Sequence, residues 1–302
     1  MTRRNITSVA LTLALFSACL ACHPKAGRAP ALPAPPTQPL ERPFLWRIDA
    51  QGRAGNTAPP PSYIFGVMHI GVDPFEVLPL GIWKKFDAAR IVVMEVDTTG
   101  PDTLGLGKQP EGQSLARQMD SEAWAKIVQT LDLDADEAEA IGSLLPWMLV
   151  VQLTQTLAPA ARSIEDVLQE RASEQQKQTA FLESVAVQAG LLSRFMDVAY
   201  LIEFVGNMDA QKQSLRKQAE IYRSGDERAL YRSAIVGMEK HIGAEGMEAL
   251  MYQRNRSWIP TIERHVAAGN AFIMVGAAHL VGDTSVIDLL QKRGYRLTRV
   301  RQ

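Results

Sequence analysis

Two stretches decide how this chain folds: Ile64-Phe65-Gly66-Val67-Met68-His69-Ile70 and Met274-Val275-Gly276-Ala277-Ala278-His279-Leu280. Each is an apolar strand followed by Gly-x-x-His and an aliphatic residue. Short runs rich in Val, Ile and Phe read as buried strands. Gly66 and Gly276 let the chain leave each strand through dihedrals that other residues resist, and the histidine then hangs from the strand's C-terminal end. In an open α/β sheet that edge is where ligands bind. If the two strands are neighbours, His69 and His279 converge there.

Working outward, Phe44 to Asp49 reads as a strand, followed by a Gly- and Pro-rich loop and the strand Ser62 to Met68. Ile82 to Ala89 reads as a short helix and Ile91 to Val96 as a buried strand. From about Ser121 to Gly243 the chain is mostly helical, with caps and breakers at Ser121, Pro146, Ser163, Gly190, Gly206 and Gly225, and one strand candidate at Thr179 to Leu182. The end alternates: a helix from Ala244 to Ala268 broken or kinked at Pro260, a strand Ala271 to Val275, a helix Thr284 to Arg293 and a last strand Tyr295 to Val300. Strands at both ends of a helical middle predict one α/β domain, residues 44–302, whose central mixed sheet is built from the N- and C-terminal segments.

Composition narrows the function. The 302 residues carry 32 basic and 33 acidic side chains, a formal net charge of -1, so no basic field attracts phosphate backbones and nucleic acid is not expected as a partner. With 46% hydrophobic residues the chain is a folded protein, not a disordered tail.

The N-terminus reads as an export signal over residues 1–18: Arg3 and Arg4, then the apolar run Ile6 to Phe16, then Ser17 and Ala18 before Cys19. That run is too short for a permanent membrane helix. Leu15-Phe16-Ser17-Ala18-Cys19 resembles a bacterial lipobox, which implies a lipidated Cys19 at the mature N-terminus, with simple cleavage to a soluble periplasmic protein as the alternative. Cys22 belongs to the same processing region, and the mature body has no other cysteine. Ten of the 17 prolines lie between Pro24 and Pro61, and residues 19–43 are expected to form a Pro-rich spacer holding the folded body off the membrane. The expected location is the periplasm or the outer membrane of a bacterium, with membrane contact through the lipid alone.

Glu95 lies near the end of Ile91-Val92-Val93-Met94-Glu95-Val96, where a buried charge needs a cation or hydrogen-bond donors. His69, His279 and Glu95 form a donor set suited to zinc, manganese or cobalt, leaving a position for a water of lowered pKa. A lone Gly-x-x-His is more often a hydrogen-bonded structural histidine than a ligand; two copies with similar flanks, 210 positions apart, argue for a shared site.

The paired Gly-x-x-His motifs, Val92-Val93-Met94-Glu95-Val96-Asp97, Arg254-Asn255-Arg256-Ser257-Trp258, Val275-Gly276-Ala277-Ala278-His279-Leu280-Val281-Gly282 and Arg293-Gly294-Tyr295-Arg296-Leu297-Thr298-Arg299-Val300 resemble the TraB/GumN family, part of the group that includes the TIKI metalloproteases. The resemblance runs from Phe44 to Val300. It implies an α/β sheet domain and a divalent-metal-dependent hydrolytic site with His69, Glu95 and His279 as ligands. By the same matching, Arg254 is a candidate oxyanion stabiliser and Asn255 a candidate group for orienting a ligand or substrate carbonyl, against a reading as a polar pair on a helix whose Trp258 and Ile262 are buried. Glu183 resembles the family's strand-ending Leu-Glu and is a candidate ligand or general base. The segment before it, Gln176 to Ala180, departs from the family pattern.

The resulting expectation is an exported, metal-dependent, peptidase-like hydrolase with the helical insertion walling the strand edge. The alternative is a cell-envelope protein that binds an extracellular peptide or small ligand without turnover, which the similarity to TraB members also allows. A scaffold in an export assembly is a third. Asp132 to Ser143 begins like a calcium loop but has Glu137 where glycine is required, and reads as a solvated acidic turn. His241 and His265 read as surface residues. The interrupted apolar run Leu191 to Val205 reads as a buried or groove-lining helix.

Overall fold

The computed structural model describes residues 31–50, 59–97 and 107–301. Its centre is a six-stranded sheet of β1 (Leu45–Asp49), β2 (Ser62–Val67), β3 (Ile91–Met94), β4 (Gln178–Phe181), β5 (Ala271–Gly276) and β6 (Arg296–Arg299), in the spatial order β4-β3-β5-β2-β1-β6. Strands β4, β3, β5 and β2 are parallel, and β1 is antiparallel to both β2 and β6. The sheet is therefore mixed, as expected, and takes only the edge strand β4 from the helical middle.

The sequence explains this order. Every residue of β3 and β5 is buried, so their unbroken apolar runs suit central parallel strands covered on both faces. β4 and β6 are short, and β6 alternates exposed Arg296 and Thr298 with half-buried Leu297 and Arg299, a composition that blunts a sheet edge. In the β2–β5 register Gly66 lies beside Val275 and Val67 beside Gly276. The two Gly-x-x-His segments thus leave the same sheet edge, offset by one residue.

Phe272 of β5 packs on Phe86, with ring centroids 5.4 Å apart, and the helix Gln253–Ala268 buries Trp258, Ile259, Ile262 and Val266. That helix continues through Pro260, where a break or a kink was expected. Buried residues on both sides of the exposed proline pack the helix on the core despite the missing N–H. The discontinuity lies upstream, at Gly243, whose φ of 67° joins two helical runs. Gly190, expected as a breaker, lies inside the helix Val185–Phe195.

The expectation for Gly66 and Gly276 needs its reason corrected. Neither is among the glycines with positive φ. What they supply is space: a Cβ on Gly66 would lie 2.9 Å from the Ala277 Cα, and one on Gly276 would lie 2.9 Å from His69 Nε2.

The last third of the expected spacer packs on the domain. The Gln38 N–H donates to the Glu76 carbonyl at 3.0 Å, the Leu40 N–H donates to the Val77 carbonyl at 2.9 Å, and Leu40 joins the core at 1% exposure. The packed body therefore begins before Phe44. The expected export segment, Cys19, Cys22 and the expected spacer up to residue 30 lie outside the described residues. Among the described residues no single helix is long and apolar enough to cross a membrane; Val185–Phe195 and Val198–Gly206, which contain the run Leu191 to Val205, form a pair bent by 66°.

Candidate active site

Four strand ends supply the site. His69 follows β2, Glu95 follows β3, Glu183 follows β4, and His279 sits in the 3-10 turn Ala277–Leu280 that follows β5. The β3–β4 pairing continues past the named strands, with the Glu183 N–H donating to the Glu95 carbonyl at 2.9 Å, and this brings the two carboxylates side by side. The helix Gln253–Ala268 lays Arg254 and Asn255 across the edge.

The position a Gly276 Cβ would occupy defines the centre. It lies 2.9 Å from His69 Nε2, 3.5 Å from Glu95 Oε1 and 3.6 Å from His279 Cδ2. The trio chosen from sequence thus converges on one point. His69, Glu95 and His279 are each no more than 4% exposed.

Arg254 binds the acids together. Its Nη2 donates to Glu95 Oε2 at 2.8 Å and to Glu183 Oε1 at 2.6 Å, its Nε donates to both Glu183 oxygens at 3.0 Å, and its Nη1 donates to the Leu250 carbonyl at 3.1 Å and faces His279 Nε2 at 3.3 Å. Every N–H of this buried cation points at an acceptor. As placed, it is the counter-ion of two carboxylates and has no donor left for an oxyanion. The Glu183 oxygens also receive Trp258 Nε1 at 3.1 Å and Gln188 Nε2 at 3.4 Å. A general base needs a free lone pair, so Glu183 is better described as the anchor of Arg254 than as the base expected from sequence.

Each imidazole is oriented through Nδ1. His279 Nδ1 donates to Asn255 Oδ1 at 2.6 Å, because Asn255 Nδ2 donates to the Thr284 carbonyl at 2.9 Å and so turns its oxygen toward the ring. Asn255 therefore orients His279, a residue named as a ligand from the sequence, and not a substrate carbonyl. The Trp258 ring packs on His279 with centroids 4.6 Å apart. Burial, with Arg254 and His69 nearby, holds the His279 pKa well below the ordinary value, so this ring is neutral with its lone pair on Nε2. His69 Nδ1 donates to the carboxylate of Glu165, in the first turn of the helix Ile164–Glu174. Burial pulls the His69 pKa down, but Glu165 and Glu95 outweigh it and the net shift is upward. Burial pushes the Glu95 carboxyl up against the pull of Arg254 and His69. Its oxygens accept from Arg254 and from the Gly276 N–H at 2.6 Å, the bonding of a carboxylate.

Glu165 escaped the sequence reading. It follows the N-capping Ser163, where acidic residues are common simply because they favour the helix N-terminus. Nothing in the local pattern points to a histidine 96 positions away. Its side chain, at 18% exposure against 3% for His69, is the part of this pair most open to water.

Do these residues fit a divalent ion? As arranged they do not: among the described residues no group of three or more His, Cys, Asp or Glu side chains is placed to hold one. Two of the atoms such an ion would use, Glu95 Oε2 and His279 Nε2, face Arg254 instead. The cation held by the carboxylates is a guanidinium. A cavity of about 460 Å³ adjoins the His279 turn, lined by Tyr231, Leu280, Gly282 and Ser285 among others, and none of His69, Glu95, Glu183 or His279 faces it.

Known proteins were compared with the chain. It is 23% identical over 238 residues to the uncharacterized protein YbaP of Shigella flexneri, covering 76% of this chain and 88% of that protein. It is 22% identical to YbaP of Escherichia coli K12, covering 76% and 87%. It is 20% identical to the metalloprotease TIKI1 of Danio rerio, covering 84% of this chain and 62% of that protein. No solved structure is significantly similar. The model of the TraB/PrgY/gumN family matches residues 44–299, which take in every strand of the sheet and all the side chains converging at its edge, and the chain belongs to that family.

Proposed function

We propose that the protein is an exported hydrolase acting on peptide-like substrates, with its water-activating centre over Gly276. The observation that carries this reading is the convergence of His69 Nε2, Glu95 Oε1 and His279 on one point. The similarity to a metalloprotease supports the hydrolytic class.

In this reading His69 is the base. Its Nδ1–H is engaged by Glu165, which leaves Nε2 facing the centre. Nε2 takes a proton from water as the water oxygen bonds to the substrate's carbonyl carbon, and returns it to the leaving nitrogen when the C–N bond breaks. Arg254 fixes Glu95 and Glu183, and Asn255 fixes His279, so the cluster is organised before substrate arrives.

A second reading is favoured by the metalloprotease relative: His69, Glu95 and His279 take up zinc, manganese or cobalt, which requires Arg254 to release the atoms it now faces. When bound, such an ion supplies a water of lowered pKa. Export through residues 1–18, lipidation at Cys19 and a periplasmic or outer-membrane location complete the proposal; mass spectrometry of the mature N-terminus distinguishes lipidated Cys19 from simple cleavage.

The test is hydrolysis of a fluorogenic peptide library by the mature protein, with and without chelator, beside a folded His69→Ala, His279→Ala variant and with metal content measured for both. Turnover lost in the variant supports the site. Metal present in the wild type and absent from the variant, with chelator-sensitive turnover, supports the second reading. Binding of peptides without any cleavage would replace the hydrolase with a cell-envelope binding protein.

A further inference from the structure

The unassigned member of the cluster is Glu165. Its carboxylate meets His69 Nδ1, and the pair is buried on the histidine side and partly open on the glutamate side. A carboxylate can only accept, so this contact places the Nδ1 proton between the two groups and sends Nε2 to the Gly276 position 2.9 Å away. Reversing the ring would put a C–H against the carboxylate and leave the wrong edge over the glycine.

The helix that carries Glu165 is held firmly enough to act as a mount. Ile164, Val167 and Leu168 are buried. One and a half turns on, Arg171 grips Asp87 through two bonds of 2.7 Å, and Gln175 adds a third of 2.7 Å to the same carboxylate. Asp87 belongs to the helix Leu80–Ala88, which leads into β3. One rigid connection therefore joins the base of β3, the Glu165 helix and the ring that hangs from β2.

We propose that Glu165 is a positioning residue: it fixes the tautomer and orientation of His69 so that Nε2 alone is presented to the reacting centre. This deepens the proposed hydrolytic reading of the site and rests on it for its catalytic consequence, but the ring's state can be measured independently.

The experiment uses mature wild type, Glu165→Gln and Glu165→Asp with nitrogen-15-labelled histidine, assigned against His69→Ala. In the wild type the His69 Nδ1 proton should appear far downfield and exchange slowly. Glu165→Gln, which keeps size but not charge, should lose that signal, and Glu165→Asp should recover part of it. With a cleaved library peptide, Glu165→Gln should lower kcat about 100-fold, with KM little changed. Recovery by Asp and not by Gln separates a carboxylate acting on the ring from simple helix packing. Retention of the signal and of kcat in a folded Glu165→Gln variant would overturn the assignment. Absence of any turnover in the wild type would sink the hydrolase reading alone, while the signal would still decide the role of Glu165.

Discussion

Two arginines fasten helices in this fold, Arg254 to strand ends and Arg171 to another helix, and they do so in opposite electrostatic settings. At the functional edge Arg254 serves two buried carboxylates, Glu95 and Glu183, with Glu165 and His69 close by. Under the helix Ile164–Glu174, Arg171 serves the single carboxylate of Asp87, and Lys177 adds a second cation whose Nζ is satisfied by the Asp87 and Ala89 carbonyls at 2.6 and 2.9 Å. The first cluster is rich in acids and buried except at Glu165; the second is rich in cations and open at Asp87. Unpaired buried charge is costly in either setting. Carboxylates in excess at a strand edge, with imidazoles beside them, are the arrangement on which the proposed function rests.

The strongest way to break this comparison is to remove each arginine. Arg254→Met should destabilise the protein by about 3–5 kcal/mol, because two buried carboxylates lose their counter-ion. Urea denaturation followed by circular dichroism measures this. Adding Glu183→Gln should restore part of the loss, since one of the stranded charges is then gone. A single variant as stable as the wild type would mean that Arg254 is not what holds these two side chains in the core. Arg254→Lys should rescue poorly, because an ammonium cannot reproduce the guanidinium's fork onto two acids.

Gly276→Ala probes the centre without changing any charge. The added methyl meets His69 Nε2 at 2.9 Å, and the ring is held from behind by Glu165. Overpacking of this kind costs about 1–3 kcal/mol. The proposed hydrolysis should fall far more than stability, whereas a change at the Arg171 clamp should move stability first and hydrolysis only as far as it displaces the Glu165 helix. Equal loss of both at Gly276 would erase the distinction between the two regions.

Asp87→Ala is the matching test at the clamp, with an expected cost of about 1–2 kcal/mol, modest because the carboxylate stays partly in water. Burial would raise the Asp87 pKa, but the Arg171 and Gln175 bonds outweigh it and the folded value lies below 3.8. A depressed folded pKa means the unfolded chain binds the proton first on acidification. The clamp's contribution is therefore complete above pH 3.8 and is lost as pH falls through the folded value. The stability gap between wild type and Asp87→Ala, measured by denaturation from neutral pH downward, should hold steady and then narrow only below that point. A gap that widens on acidification would reverse the assignment.

The sheet was legible because its central strands carry continuous apolar runs and because Gly-x-x-His occurs twice with similar flanks. His69, Glu95 and His279 were legible for the same reason: each stands just past a strand, so the topology that pairs β2, β5 and β3 also gathers their side chains. What could not be read was anything set by the third dimension alone. The roles of Arg254, Asn255 and Glu183 depend on which acceptor each finds across helix and strand, and Glu165 looks locally like a routine first-turn acid. Whether Pro260 would break the helix could not be read, because local propensity takes no account of a buried stripe on both sides. The purpose of Gly66 and Gly276 was misjudged because close approach leaves no mark on a single chain's dihedrals.

A third set of acids gives the comparison its baseline. In the stretch Asp132 to Glu139, Asp134 caps the helix Ala135–Gly142 in a reciprocal box: Asp134 Oδ1 accepts the Glu137 N–H at 2.9 Å, and Glu137 Oε2 accepts the Asp134 N–H at 3.0 Å. These carboxylates are exposed and do local backbone work, so Asp134→Ala should cost only about 1 kcal/mol and leave hydrolysis untouched. Calcium should not shift the melting temperature of the wild type through this segment, since the turn has Glu137 where a calcium loop needs glycine. A calcium-dependent rise abolished by Asp134→Ala would reveal an ion site here, and acid-rich composition would then mark function even in open water. Without it, what separates the strand edge from this turn is burial: the same carboxylates that cost little in solvent demand, at Glu95 and Glu183, a dedicated cation and a fixed geometry.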